Sequence, residues 1–179
     1  YKNETVHIGD IIIGEKRTFL IENCRFVQTG DIIVREAGTL IIRNAELILN
    51  QTHSNQFRIC VEDYADLIVE ESSIDSDFLF EILITELTSV EIVNSVIDGT
   101  VVCSGGETVL SGCEVKMVRC LGGGINLNEC TAKIECKGGK TQVDKSILPE
   151  VILNLWDSKM KLMNLAPGVK NYWDLRKNN

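Results

Sequence analysis

The stretch MVRCLGGGINLNEC, residues 117–130, sets three consecutive glycines between two cysteines. Two chemical readings present themselves, a phosphate cradle and half of a metal site. A phosphate loop needs a helix directly after the glycines and usually a Lys followed by Ser or Thr, and neither is present. A structural metal site needs ligands that close a tetrahedron, and the chain has no Cys-x-x-Cys. The apolar alternation points elsewhere. Val118 and Cys120 fall on one side of a short strand, Ile125 and Leu127 on one side of another, and the glycines turn the corner between them.

The same frame recurs along the chain. It consists of two alternating apolar residues, a polar residue, a small residue and a further apolar one. It fits Phe19-Ile21-Asn23-Cys24-Phe26, Leu40-Ile42-Asn44-Ala45-Leu47, Leu67-Val69-Glu71-Ser72-Ile74 and Val90-Ile92-Asn94-Ser95-Ile97. It continues in Thr108-Leu110-Gly112-Cys113-Val115, Ile125-Leu127-Glu129-Cys130-Ala132 and Thr141-Val143-Lys145-Ser146-Leu148, and more weakly in Met160-Leu162-Asn164. A second strand precedes each of these across a short turn. Its inward pairs are Ile11/Ile13, Ile32/Val34, Ile59/Val61, Ile82/Ile84, Val101/Cys103, Val118/Cys120, Ile134/Cys136 and Leu153/Leu155. Eight units at a period of roughly twenty residues make a solenoid, in which each coil buries its apolar face on its neighbours. Leucine-rich repeats share the period, but their helical segment and fixed Asn/Cys signature are missing. The expectation is an all-β parallel β-helix of about eight short-stranded coils, a rod on the order of 40 Å long. Residues 11–166 form the β-helix, 1–10 a lead-in strand or cap, and 167–179 a cap or linker tail.

From Ile11 to Leu165 the frame resembles the right-handed parallel β-helix of the pectin-lyase-like superfamily. The resemblance implies three strands per coil and a tight turn, often carrying Asn, after the second strand. Asn23, Asn44 and Asn94 match that position, with Asn164 a weaker match, whereas Glu71, Gly112, Glu129 and Lys145 depart from it. Enzymes of that family cleave acidic polysaccharides with clustered aspartates, calcium and a basic residue, or with paired aspartates, on the outer face of the first strand. The residues expected to point outward there are Ile12, Ile33, Cys60, Leu83, Val102, Arg119, Glu135 and Asn154. The first five are apolar, which does not suit a sugar-cleaving groove. The family's Asn-Thr-Asp, Asp-Asp and Gly-His-Gly signatures are absent. An enzymatic alternative would rest on Asp75, Asp77, Arg58 and Glu81. Asp75-Ser76-Asp77 reads first as a solvated loop, His53 as a loop residue, and His7 has no evident partner. No catalytic, cofactor-binding or metal residue is assigned.

Composition narrows the partners. The 26 acidic residues outnumber 18 basic ones, for a formal net charge of -8, which disfavours phosphate backbones and anionic lipid. No apolar run is long enough for a membrane helix, since Glu81 and Glu86 interrupt the greasiest stretch. Seven cysteines cannot all pair within the chain. Cys24, Cys113 and Cys130 share a column of small residues with Ala45, Ser72, Ser95 and Ser146, while Cys103, Cys120 and Cys136 continue an inward aliphatic column. They read as buried free thiols, with disulfides between stacked coils the alternative.

Outward apolar residues concentrate in the N-terminal half: Ile12, Ile33, Leu83 and Val102 on the first strand, Leu20, Ile41 and Ile68 on the second. Such a surface marks contact with protein, the alternative being that an extended loop or the N-terminal segment folds over it. The tail breaks the pattern at Pro167-Gly168, and Tyr172, Trp173 and Leu175 either fold over the last coil or dock on a neighbouring subunit or domain. Sequons at Asn3 and Asn50 permit N-glycosylation if the chain is exported. These features lead to a structural or adhesive surface module, extracellular and self-associating as a filament subunit, which resembles the β-helix repeat modules of prokaryotic, especially archaeal, surface proteins. The alternatives are a polysaccharide-binding or polysaccharide-cleaving protein and, since free core thiols suit a reducing compartment, a cytoplasmic scaffold.

Overall fold

Apolar residues that alternate within strands and recur every twenty positions or so can all be buried only if successive turns of the chain stack. The computed structural model describes residues 3–154, 159–163 and 173–176, and it shows that stacking. Every element among the described residues is a strand, and the strands pair in parallel from coil to coil. Eight coils follow one another, each crossing three faces.

The first face carries Ile11–Ile13, Ile32–Val34, Arg58–Val61 and Glu81–Ile84, then the later parts of Val96–Cys103, Glu114–Cys120, Thr131–Cys136 and Ile147–Asn154. The second face is an eight-stranded sheet. It runs from Thr18–Glu22 through Thr39–Arg43, Asp66–Glu70, Ser89–Val93, Glu107–Ser111, Gly124–Asn128 and Lys140–Asp144 to Lys159–Met163. The third face carries Glu4–Ile8, Arg25–Thr29, Glu46–Leu49 and Ser73–Asp75, then the leading parts of the same four long strands. Sequence reading located the first two strands of each coil and placed only one residue of the third. That residue, the last position of the repeated frame, is the inward one of the third face: Phe26, Leu47, Ile74, Ile97, Val115, Ala132 and Leu148 are all buried. Glu4–Ile8 is the third-face strand of coil one, paired with Arg25–Thr29.

Successive coils are offset by 21, 21, 27, 23, 18, 17 and 16 residues. From coil five onward the third and first faces are joined by an irregular step inside one long strand rather than by a turn. That step explains a slip in the last coil. The pair aligned with Ile134 and Cys136 is Val151 and Leu153, not Leu153 and Leu155, and Leu155 lies outside the described residues. Ile152, not Asn154, stands level with Glu135. In the tail, Trp173–Arg176 adds a parallel strand to this ladder with Trp173 level with Val151. Tyr172, Asn164 and Pro167-Gly168 are outside the described residues.

The corners explain the polar part of the repeat. Between the second and third faces one residue per coil takes a left-handed backbone: Asn23, Asn44, Glu71, Asn94, Gly112, Glu129 and Lys145, with φ from 45 to 63°. Asn tolerates that region best among residues with a side chain. The asparagines ladder once, with Asn44 Nδ2 donating to Asn23 Oδ1 at 2.7 Å. Between the first and second faces the left-handed residues end in Gly106, Gly123 and Gly139. A Cβ on Gly123 would lie 2.5 Å from the Gly105 carbonyl carbon. The double glycines therefore serve both the turn and the close stacking of one turn on the next.

The column of small residues has a reason that size alone does not give. Each serine hydroxyl in it accepts a backbone N–H from the coil before and donates to a carbonyl two residues back in its own chain. Ala45 N–H donates to Ser72 Oγ (3.1 Å), Ser72 N–H to Ser95 Oγ (3.1 Å) and Cys130 N–H to Ser146 Oγ (3.0 Å). Ser72, Ser95 and Ser146 donate in turn to the carbonyls of Glu70, Val93 and Asp144. The left-handed corner interrupts the sheet there, and these side chains satisfy buried backbone groups left over.

Candidate interaction surface

Stacking in register places equivalent outward residues about 4.8 Å apart, so any apolar position repeated in sequence becomes a continuous stripe. On the first face Ile12 is 57% exposed, while Ile33, Cys60 and Leu83 are half-buried by their neighbours along the ladder. On the second face Leu20 is 50% exposed and Ile41 and Ile68 half-buried. These are the stripes expected from sequence, with one correction. Val102 is only 4% exposed. Its neighbour Arg119 bonds Glu135 Oε2 through Nε at 2.7 Å and reaches Glu81 Oε1 at 3.5 Å. Glu81 lies two rungs from Arg119, so the side chain must pass across the rung that carries Val102. An ion-pair bridge covers the residue that alternation marked as exposed.

Other apolar parts of the surface escaped the sequence reading, Phe78, Leu79, Val96, Leu121 and Ile147 among them. The third face has its own stripe of Val6, Val27 and Ile48, flanked by Ile8 at 79% exposure. Finding it requires the third strand. Val109 is exposed on the second face. Tyr64 and Leu87, both exposed, sit at the corner between the first and second faces with left-handed φ of 61 and 62°.

The polar constellation considered for catalysis is not assembled. Arg58 and Glu81 are ladder neighbours on the first face. Asp75 and Asp77 instead line a groove of about 340 Å³ on the third face with Arg25, Glu46 and Asn50. Asp75 Oδ1 accepts its neighbour Ser76's N–H at 2.7 Å, a local turn contact. The floor of the adjoining loops is held by buried Gln51, which donates to Ser76 Oγ and to the Phe78 carbonyl, both at 2.9 Å. His53 remains exposed in its loop beside Thr52. His7 has the partner that sequence did not reveal: its Nδ1 lies 3.0 Å from Oε1 of the buried Gln28, whose Nε2 donates to the Gly9 carbonyl. Among the described residues no three His, Cys, Asp or Glu side chains converge as a metal site. Both sequon asparagines, Asn3 and Asn50, are exposed, and Asn50 Nδ2 donates to Thr29 Oγ1 at 3.0 Å.

All seven cysteines are free thiols, five of them buried and Cys24 and Cys60 half-buried. Burial pushes Cys60, Cys103 and Cys120 up from the ordinary thiol value and Cys136 up to about 11. The hydrogen bond shared with Cys113, together with burial, raises Cys130 as well. The raised values favour the protonated thiol and a packing role at Cys103, Cys120, Cys130 and Cys136, whereas the hydrogen bond shared with Cys130 pulls its partner Cys113 down to about 7. Glu135 behaves oppositely. Burial works against its charge, but hydrogen bonds from Lys137 and Arg119 outweigh burial and hold the carboxyl below the usual range.

Charge is sorted along the solenoid, a signal that the overall balance hides. Residues 44–115 contain 14 acidic side chains and one basic one, Arg58, whereas residues 116–163 contain eight basic and five acidic. Coils three to five therefore form an acidic section followed by a basic one.

The fold places this chain among the parallel β-solenoids. Compared with protein-family models, curated proteins and solved structures, the chain matches none. No helix among the described residues is long and apolar enough to cross a membrane.

Proposed function

We propose that this chain is a structural module that acts through protein contacts, as a self-associating part of an extracellular or cell-surface assembly. The observation that carries the reading is the set of outward apolar stripes on coils one to four, led by Ile12 and Leu20. Side chains that point away from the core gain nothing from coil stacking, so their recurrence on adjacent rungs is best explained by a partner surface. The resemblance of the repeat frame to pectin-lyase-like β-helices, and to archaeal surface modules among them, supports a secreted rod. So do the exposed sequons Asn3 and Asn50. A filament subunit is the favoured form. Light scattering after size exclusion, with electron microscopy of the same fractions, tests the reading. Concentration-dependent assembly into higher oligomers or filaments, which Ile12→Asp with Leu20→Asp prevents at unchanged circular dichroism, is expected. Monomers at every concentration and salt would refute self-association.

The second reading, polysaccharide binding or cleavage, draws on the polar third-face groove of Arg25, Glu46, Asn50, Asp75 and Asp77. It requires calcium-dependent binding of an acidic polysaccharide that Asp77→Ala weakens. Titration calorimetry with no heat of binding removes it.

A further inference from the structure

Among the described residues the second face of coils four to eight carries four exposed charges whose arrangement is self-complementary. Glu91 and Glu107 lie in coils four and five, Lys140 and Lys161 in coils seven and eight. None of the four makes an ion pair among the described residues, whereas Glu22 and Glu70 on the same face are both paired to Arg43. Coil six, between the two groups, presents Gly124, Asn126 and Asn128 and no charge.

The registers match. Glu107 and Lys140 share one column, each a single rung from Gly124. Glu91 and Lys161 share the next column, each two rungs from Asn126. In the third column Val93 and Met163, both half-buried, are each two rungs from Asn128. Consider a twofold axis lying just above this face and parallel to the strand of coil six. It sets Glu107 opposite the second copy's Lys140, Glu91 opposite its Lys161 and Val93 opposite its Met163, every contact occurring twice.

We propose that the chain pairs with a second copy of itself, antiparallel and face to face, through the second face of coils four to eight. The inference rests on the self-association reading above and adds to its apolar contact a second, charged one. The neutral coil six at the axis allows close approach. Gly124 leaves a groove of about 320 Å³ there, lined by Glu107, Asn126, Lys140 and Lys161. Without a Cβ at Gly124 the Glu107 carboxylate is free to lie over it, since a Cβ would stand 2.5 Å from Oε2. The pairing also sets the acidic section of one copy against the basic section of the other, which steers their approach. Five rungs of five-residue strands cover roughly 24 by 16 Å, a footprint on the order of 400 Å² per copy. That is the low end for a specific interface, so the charges rather than the area decide the affinity.

Sedimentation velocity of the intact chain tests this. The wild type is expected to dimerise at low ionic strength and to weaken roughly tenfold or more in high salt. Glu107→Lys alone and Lys140→Glu alone each place like charges opposite one another twice, and each should weaken the dimer roughly tenfold or more. An equimolar mixture of the two variants should regain it. In the mixed dimer the reversed charge at position 107 of one copy faces the reversed charge at position 140 of the other, and the symmetry-related contact keeps the native pair. An intrachain bridge over Gly124 would show no such rescue. A mixture that stays monomeric overturns the inference. Association that survives high salt and both reversals, yet is lost with Leu20→Asp, overturns it while leaving the self-association reading intact. A wild type that is monomeric under every condition overturns both.

Discussion

The glycine corner of coil six lends itself to a substitution whose sign and size follow from geometry. Gly123 has a φ of 68° and stacks on the corner of coil five, so an added Cβ would lie 2.5 Å from the Gly105 carbonyl carbon and 2.6 Å from the Gly106 carbonyl oxygen. An L side chain in this region costs about 1–2 kcal/mol by itself. Normal contact would require the two turns to separate, and the obstructing atoms are backbone, which cannot rotate away. Overpacking of that kind adds about 1–3 kcal/mol. Gly123→Ala should therefore destabilise by about 2–5 kcal/mol, a large share of the about 5–15 kcal/mol available to a domain. The corner of coil four supplies the opposite test. Leu87 holds a φ of 62° with its side chain exposed, so Leu87→Gly relieves the left-handed cost and forfeits little packing. Offset by the backbone entropy of glycine, the net effect is between zero and about 1 kcal/mol of added stability. Urea unfolding followed by circular dichroism, with matching slopes, reads both. A Gly123→Ala midpoint within error of wild type, or a Leu87→Gly loss as large as the alanine's, would refute the account of the corners.

Three further outcomes follow from the interior and the ion pairs. Ser146→Ala leaves the buried Cys130 N–H without its acceptor and should cost about 1–3 kcal/mol in urea unfolding. Ser146→Cys, which installs the residue type found at Cys113 and Cys130, should cost less, and equal losses would count against the hydrogen-bonded column. The depressed Glu135 carboxyl stabilises the fold above the ordinary carboxylate pKa, about 4.3, and loses that contribution as pH falls through its lower folded value. Glu135→Gln should thus be less stable than wild type by roughly 1 kcal/mol at neutral pH, and the gap should close in acid; a gap undiminished well below the carboxylate range excludes the charge as its cause. With a thiol reagent at neutral pH, Cys24 and Cys60 alone should react in the native state and all seven after denaturation, since the other five are buried. Rapid native labelling of Cys136 would contradict the packing role.

The period and the two inward columns were legible because each coil repeats the same burial. A missing partner costs every rung equally, so the pattern survives changes of residue identity. The third strand was harder to see. It shows one inward residue per coil in the short repeats, and an internal step rather than a turn joins it to the first face from coil five onward. The slip at Leu153 has the same origin. Exposure was legible only to the level of parity. Alternation placed Val102 outward correctly, but nothing local to it announces that Arg119 reaches across to Glu81. The small-residue column was recognised by size, while its hydrogen bonds emerged only when Ser72, Ser95 and Ser146 were seen facing the coil before. The charge sorting on the second face was present in the sequence, and the net value of -8 averages it away.

The unequal spacing of the coils has a practical meaning. Almost all of the variation from 27 to 16 residues is taken up where the third face hands over to the first. There the connection shrinks from the segment 50–57, through 76–80, to a step within a strand. Among the described residues the other two corners keep their left-handed residues. One corner of this solenoid is thus an insertion port, the place where foreign loops can be spliced into a coil without disturbing its neighbours. Among the described residues the corner from second to third face keeps two residues, and the corner from first to second face changes only from four to three.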